Sequence, residues 1–138
     1  VQLLSEKDWV WPCPDYTTVT SLYGMRLHPL SNEYVFHDHI DIDAPEGAAV
    51  VAALDGAVFE AGFHNEQGNY IVIDHGEGVQ TVYRHLREML VQVGDAVAAG
   101  DSIGAVGSTG AATGPFLAFC VYINDGSVNP LNFFDIKI

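Results

Sequence analysis

Positive charge is scarce in this chain of 138 residues: five basic residues stand against 18 acidic ones, a formal net charge of −13. Nucleic acid and anionic membrane surfaces both demand a cationic footprint. Lys7, Arg26, Arg84, Arg87 and Lys137 are too scattered to make one. A nucleic-acid partner is excluded on that ground. Long apolar runs are also missing; none approaches the roughly 20 residues that a membrane-spanning helix needs, so this segment is not expected to insert in a bilayer. No stretch sustains a helical apolar period, and the best helical candidate is a short turn near Leu86 to Leu90. Cysteine is limited to Cys13 and Cys120, whose separation rules out a C-x-x-C redox or zinc motif. Two readings stay open for them, a disulfide or a pair of buried free thiols, the second being the plainer.

What is present is glycine and β-forming residues in alternation. Fourteen glycines punctuate segments rich in Val, Ile, Tyr and Phe. Gly68-Asn-Tyr-Ile-Val-Ile-Asp, a His-Gly-Glu-Gly turn and Val-Gln-Thr-Val-Tyr-Arg-His-Leu read as two strands around a tight turn. Val50 to Phe59 reads as two short strands broken at Asp55-Gly56. Val91 to Val106 repeats that pattern around Gly94-Asp95 and Gly100-Asp101. A last strand is expected from about Phe116 to Ile123, ending at Asn124-Asp125-Gly126. Short strands with regular glycine turns predict an all-β, compact antiparallel domain. One domain over 1–138 is expected, with residues 1–30, which carry Pro12, Pro14 and Pro29, as an irregular lead-in packed on the β core.

Five blocks then fall in register with one family. Tyr23-Gly-Met-Arg-Leu-His-Pro29 is similar to F/Y-G-x-R-x-H-P. His37-Asp-His-Ile-Asp-Ile-Asp-Ala-Pro-Glu-Gly47 is similar to H-x-G-I-D-I-A-A-P-x-G. Gly68 to Gly76 and Tyr83-Arg-His-Leu86 resemble a G-N-x-V-x-x-x-H-G strand and a Y-x-H-L motif. Val93 to Pro115 resembles V-G-D-x-V-x-x-G-x-x-I-G-x-V-G-x-T-G-x-S/T-G-P. Together they resemble the lysostaphin/LytM-type zinc endopeptidases, peptidoglycan hydrolases built on the duplicated hybrid motif. The Val-Gly-Asp stretch also resembles biotinyl and lipoyl carrier domains. Those present a lysine on a hairpin, and here only Lys7 and Lys137, both near the termini, are available. A carrier role fails there.

The resemblance implies a zinc site with ligands from H-x-x-x-D and from the second His of a downstream H-x-H, while the first His of that pair and the His of Y-x-H-L act on the water and the oxyanion. By position, His37 and Asp41 match the first two ligands and His85 one catalytic histidine. The downstream pair is absent: where the family has G-P-H-L-H-F-E, this chain has Gly114-Pro-Phe-Leu-Ala-Phe-Cys120. Phe116 stands for a catalytic imidazole and Ala118 for a ligand. A two-ligand remnant predicts absent or weakly held zinc. His39 complicates this expectation, because it replaces the family's glycine and offers a substitute ligand beside His37 and Asp41. Residues i and i+4 of a regular strand lie about 13 Å apart, so a bend is expected there in active relatives, where the glycine would allow it; with His39 instead, His37-x-His39 reads as a strand-borne pair on one face.

Other candidates have plainer readings. His28 and His75 are expected to be structural, and His64 a solvated loop residue. Arg26 is read as an ion-pair partner or groove residue, and Tyr83 as a groove residue or a strand tyrosine with a satisfied hydroxyl. The acidic cluster Asp38, Asp41, Asp43 and Glu46 lacks a calcium-loop pattern and reads as solvated charge. The resemblance implies an extracytoplasmic, catalytically impaired module of the bacterial envelope that binds peptidoglycan or an envelope protein. The alternative is an active endopeptidase with a site rebuilt from His37, His39, Asp41 and His85.

Overall fold

A computed structural model describes residues 9–27 and 30–134 of the chain. Twelve strands are described in it: β1 (Val19–Ser21), β2 (Gly24–Leu27), β3 (Tyr34–His37), β4 (Ile40–Asp43), β5 (Ala49–Val51), β6 (Gly56–His64), β7 (Gly68–Gly76), β8 (Val79–Met89), β9 (Ala96–Val97), β10 (Ser102–Val106), β11 (Phe116–Ile123) and β12 (Gly126–Val128). A single 3₁₀ turn, Pro130–Phe133, follows them and is capped by the Asn129 side chain, which accepts from the Leu131 N–H. The all-β expectation is met. Ten strands form one antiparallel sheet in the order β1-β4-β11-β8-β7-β6-β9, with β10 bridging β5 and β8 and β12 beside β11; β2 and β3 form a separate hairpin.

Alternation along the central strands sorts side chains onto two faces. Leu117, Phe119 and Val121 of β11 join Ile71 and Ile73 of β7, Tyr83 of β8 and Ile40 and Ile42 of β4 in the main core. The intervening Cys120 packs with Val72 and Val82 on the opposite face, flanked by Tyr70 and Tyr122. The lead-in is less irregular than expected, since it contributes β1 and β2. Its first described residues pair with the sheet: the Val10 N–H donates to the Ala53 carbonyl and the Val51 N–H to the Pro12 carbonyl. Trp9 stacks on Phe133 at 4.4 Å and Trp11 meets Phe134 edge-on at 5.1 Å, so both ends of the described chain close over the core. Cys13 and Cys120 are buried free thiols, and burial pushes Cys120 up to about 12 and Cys13 to about 11.

Two sequence expectations need correction. The stretch Leu86–Leu90 is not a helical turn; β8 continues to Met89, paired with β10 through Leu86, Glu88 and Met89. Its helix-like spacing comes from an interruption at His85, whose φ of 66° breaks the two-residue alternation. Tyr83 does not face a groove. It is wholly buried, accepts the Ala53 N–H at 3.0 Å and contacts the Thr81 hydroxyl at 2.7 Å. His75 extends this chain: its Nε2 lies 2.8 Å from the Thr81 hydroxyl, and its Nδ1 lies 2.7 Å from the Asp55 carbonyl. One proton arrangement satisfies every group. His75 Nδ1–H donates to Asp55, the Thr81 hydroxyl donates to His75 Nε2, and the Tyr83 hydroxyl donates to Thr81.

That arrangement needs a neutral imidazole, and burial lowers the His75 pKa accordingly. Protons therefore bind the unfolded chain more readily than the folded one, so the stability that neutral His75 contributes is complete above about pH 6.5 and declines as pH falls through the lowered folded value. The stability deficit of His75→Gln relative to wild type, followed by urea unfolding, should shrink between pH 7.5 and pH 5. Thr81→Val, which strands both neighbours, should cost about 1–3 kcal/mol at pH 7.5 in the same assay.

Candidate functional site

The strand does not run straight through this motif: the chain leaves β3 at His37 and enters the main sheet at Ile40, so Asp38 and His39 occupy a bend between them. His37 Nε2 thereby comes to 3.6 Å from Asp41 Oδ2 across a spacing that a straight strand would hold far apart. His39 sits on the bend, not on a regular strand face as its H-x-H spacing suggested, and its ring lies 3.9 Å from that of His37. His39 Nε2 approaches Asp41 Oδ1 to 3.1 Å. This contact lacks hydrogen-bond geometry, and Asp41 Oδ1 remains buried with no donor.

Each imidazole is fixed through its other nitrogen. His37 Nδ1 lies 2.9 Å from the Leu22 carbonyl, so it carries the proton and donates it. His39 Nδ1 lies 2.7 Å from Asp38 Oδ1 and donates to that carboxylate. Asp38 Oδ2 accepts from the Tyr122 hydroxyl at 2.9 Å, and Arg84 Nη1 lies 3.5 Å from Oδ1. The His39 hydrogen bond, then Tyr122 and the Arg84 charge, hold Asp38 well below the usual carboxylate range. Burial opposes charge on His39, but the hydrogen bond to Asp38 and the negative charges of Asp41 and Asp38 outweigh it and its pKa is raised. Asp38 is thus an organised acceptor, which corrects the reading of it as solvated charge. Asp43 and Glu46 are exposed as expected.

His85 joins this face through the irregularity in β8. Ile71 pairs with Tyr83 and Asn69 with Leu86, so Arg84 and His85 together oppose the single residue Tyr70. The extra residue is a bulge, and it turns His85 away from the core position its parity would give it. Gln67 and Thr109 hold it: the His85 N–H donates to the Gln67 carbonyl, and His85 Nδ1 donates to the Thr109 carbonyl at 2.8 Å. Thr109 is kept in place by Asn69 N–H and by its own bond to the Leu86 carbonyl. Burial lowers the His85 pKa, which favours the neutral ring. Phe116 packs against that ring with centroids 4.9 Å apart. Ala118 is fully buried between Asp41 and Arg84, its register partners on β4 and β8.

A groove of about 360 Å³ runs along the sheet beside this cluster, lined by Tyr70, Val72, Gln80, Val82, Arg84 and Tyr122 among others. Arg84 and Tyr122 link it to Asp38. Sequence reasoning missed both, and Asp38 with them. An arginine at the variable position of Y-x-H-L, one of only five cations in the chain, was the available signal. The Arg84 Nε is buried without a hydrogen-bond partner. His64 ends β6 and lines the same groove, where its Nδ1 accepts the Glu66 N–H. The Arg26 side chain, His28, Pro29, Lys7 and Lys137 lie outside the described residues.

The donor set suits a divalent transition metal. His37, His39 and Asp41 bring ligand atoms within 4.8 Å of one another, and so do Asp38, His39 and Cys120. The orphaned Asp41 Oδ1 is what distinguishes the first set. A buried carboxylate oxygen with no donor costs about 1–3 kcal/mol or more, and a cation between it and two imidazole nitrogens removes that cost.

An antiparallel sheet with a groove along one face and a His/Asp cluster at the groove's edge defines a metallopeptidase-type scaffold. The chain belongs to peptidase family M23, whose family model matches residues 35–130. It is 40% identical over 117 residues to the DD-carboxypeptidase/endopeptidase Mpg of Neisseria meningitidis serogroup B, covering 85% of this chain and 27% of that protein. Its fold matches that of a zinc-containing peptidase from Vibrio cholerae at a TM-score of 0.83 and 36% identity, over 86% of this chain and 37% of the other. It also matches a chain of the SpoIIQ–SpoIIIAH pore-forming complex at a TM-score of 0.79 and 26% identity, over 93% and 91% of the two chains. The chain therefore spans about a quarter of the length of the curated relative.

The positioning of His85 depends on a close approach. Gly68 has φ of 69°, and a Cβ there would lie 2.4 Å from the Thr109 carbonyl oxygen. Gly68→Ala must strain its own backbone and displace Thr109, at about 2 kcal/mol or more. A lower melting temperature should be accompanied by loss of the slowly exchanging His85 Nδ1–H resonance in the proton NMR spectrum. A lower melting temperature with that resonance intact would show that His85 does not rely on this contact.

Proposed function

We propose that the chain is a catalytically impaired M23 domain that binds peptidoglycan, or a protein docked on it, in the bacterial cell envelope. The observation that carries this reading is Phe116 packed on His85, with Ala118 beside Asp41. The family's hydrolysis asks for an imidazole at each of those β11 positions. Neither replacement carries a proton or a lone pair. Loss of one general acid or base alone costs about 10²–10⁴-fold in rate. A metal ion held by His37, His39 and Asp41 would supply Lewis-acid polarisation of a bound oxygen. His85 would still present one neutral imidazole, but no second one faces it from β11.

Binding asks less of the chain than cutting does. The groove floor offers Tyr70 and Tyr122 as flat contacts, with Gln80 and Arg84 as polar ones. Such a surface suits an extended peptide stem. Peptidoglycan is the substrate named for close family relatives, and one structural relative sits in a two-protein complex, which is why a docked protein is the other occupant. On this reading the domain acts outside the cytoplasm. No helix among the described residues is long and apolar enough to cross a membrane.

A second reading, an active endopeptidase using the rebuilt cluster, is favoured by the convergence of His37, His39 and Asp41. Digestion of purified muropeptides with zinc supplied separates the two. Wild type should leave crosslinks intact while co-sedimenting with sacculi, and Phe116→His combined with Ala118→His should cleave at least about 100-fold faster. Crosslink cleavage by wild type at a rate matching the double variant overturns the proposal in favour of the rebuilt enzyme.

A further inference from the structure

We propose that His37, His39 and Asp41 form a self-contained transition-metal site, in which His39 supplies the ligand that β11 lacks at Ala118. The ligand set has moved from two strands to one bend. This deepens the reading that the β11 imidazoles are lost, and it rests on that reading.

Three observations converge. Both imidazoles present Nε2 to the same carboxylate, at 3.6 Å from His37 to Asp41 Oδ2 and 3.1 Å from His39 to Asp41 Oδ1. Both have Nδ1 engaged by an outer acceptor, the Leu22 carbonyl for His37 and the Asp38 carboxylate for His39. That arrangement is the one metal-ligating histidines show, because an acceptor on one nitrogen fixes the ring and leaves the lone pair on the other. Third, Asp41 Oδ1 is buried and has no hydrogen-bond donor, although His39 is close enough to be one.

The geometry also chooses between the two clusters. In the set Asp38, His39 and Cys120, His39 Nδ1 and Asp38 Oδ1 already satisfy each other through their 2.7 Å bond. Cys120 lies fully buried against Val72 and Val82. Asp38 is therefore a positioning residue for His39, and Tyr122 and Arg84 position Asp38 in turn. Two imidazoles and a carboxylate suit zinc and its neighbours among the divalent transition metals, with a coordination position left over.

Zinc titration of chelator-stripped protein by calorimetry, with no substrate present, tests this. Cobalt(II) absorption gives an independent reading of the ligand field. Wild type should bind one zinc ion per chain. Asp38→Asn should keep that stoichiometry and lose about 10–100-fold in affinity, as disturbed outer partners of metal ligands do. His39→Ala and the near-isosteric His39→Gln should lose more than that, and Cys120→Ser should bind like wild type. Circular dichroism of the stripped proteins should show all of them folded. Absence of stoichiometric zinc on wild type overturns the proposal, as does wild-type affinity in both His39 variants or loss of binding in Cys120→Ser. Zinc binding without crosslink cleavage leaves the proposed function standing, and cleavage overturns that function without touching the metal site.

Discussion

The Asp38 carboxylate is the group on which the candidate site depends. It lies on the bend that separates β3 from β4, and it is reached from three directions: by His39 on the same bend, by Tyr122 from β11 and by Arg84 from β8. Two strands and the bend itself thus converge on one anion. Without it, the Arg84 guanidinium would stand among Val82, Cys120 and Tyr122 in a chain whose other described side-chain cation, Arg87, is on the surface. Buried charge of that kind is tolerated only when paired. Asp38 therefore fixes the bend, the bend sets the convergence of His37 and His39 on Asp41, and Asp41 is where any ion would be held.

The fold was legible where alternation is uninterrupted. β11 spans the residues expected of it, and the β7–β8 hairpin and the short strands β9 and β10 follow their glycine turns. Reading failed where alternation breaks. At His85 the bulge shifts every residue beyond it by one face, so Leu86 and Met89 mimic a helical spacing and Tyr83 looks like a neighbour of His85 when it points the other way. A bulge leaves no residue signature except a polar side chain at a core parity, which His85 is. The motif placed His37, Asp41 and His85 on the page. It was silent about Arg84, Asp38 and Tyr122, because their importance comes from one another across two strands and a bend, and no spacing within a motif encodes that.

The same carboxylate joins the groove to the cluster. Arg84 and Tyr122 line the groove and hold Asp38, and Asp38 holds His39. A ligand lying in the groove that takes the Tyr122 hydroxyl or the Arg84 guanidinium for itself withdraws a partner from Asp38. The consequences for His39 follow without any large movement. Linkage runs in both directions, since any group that changes the Asp38–His39 pairing must also change how the groove presents its two polar side chains. In this family member the variable position of the Y-x-H-L motif is thus part of the site.

The strand that carries Phe116 and Ala118 also shows why the scaffold tolerates them. On β11, Leu117, Phe119 and Val121 face the main core while Phe116, Ala118 and Cys120 face the site, because side chains alternate along a strand. Core packing is worth about 1.5–3 kcal/mol for each large side chain buried, and none of it depends on what stands at 116 or 118. Removing two imidazoles from the site face even relieves the fold of polar groups that would need partners at a buried position. Ala118 is fully buried without any such demand, and Phe116 gains contact with His85. The period-two separation of stability from chemistry lets residues on the site face differ from those of the family while β4, β11 and β8 stay paired.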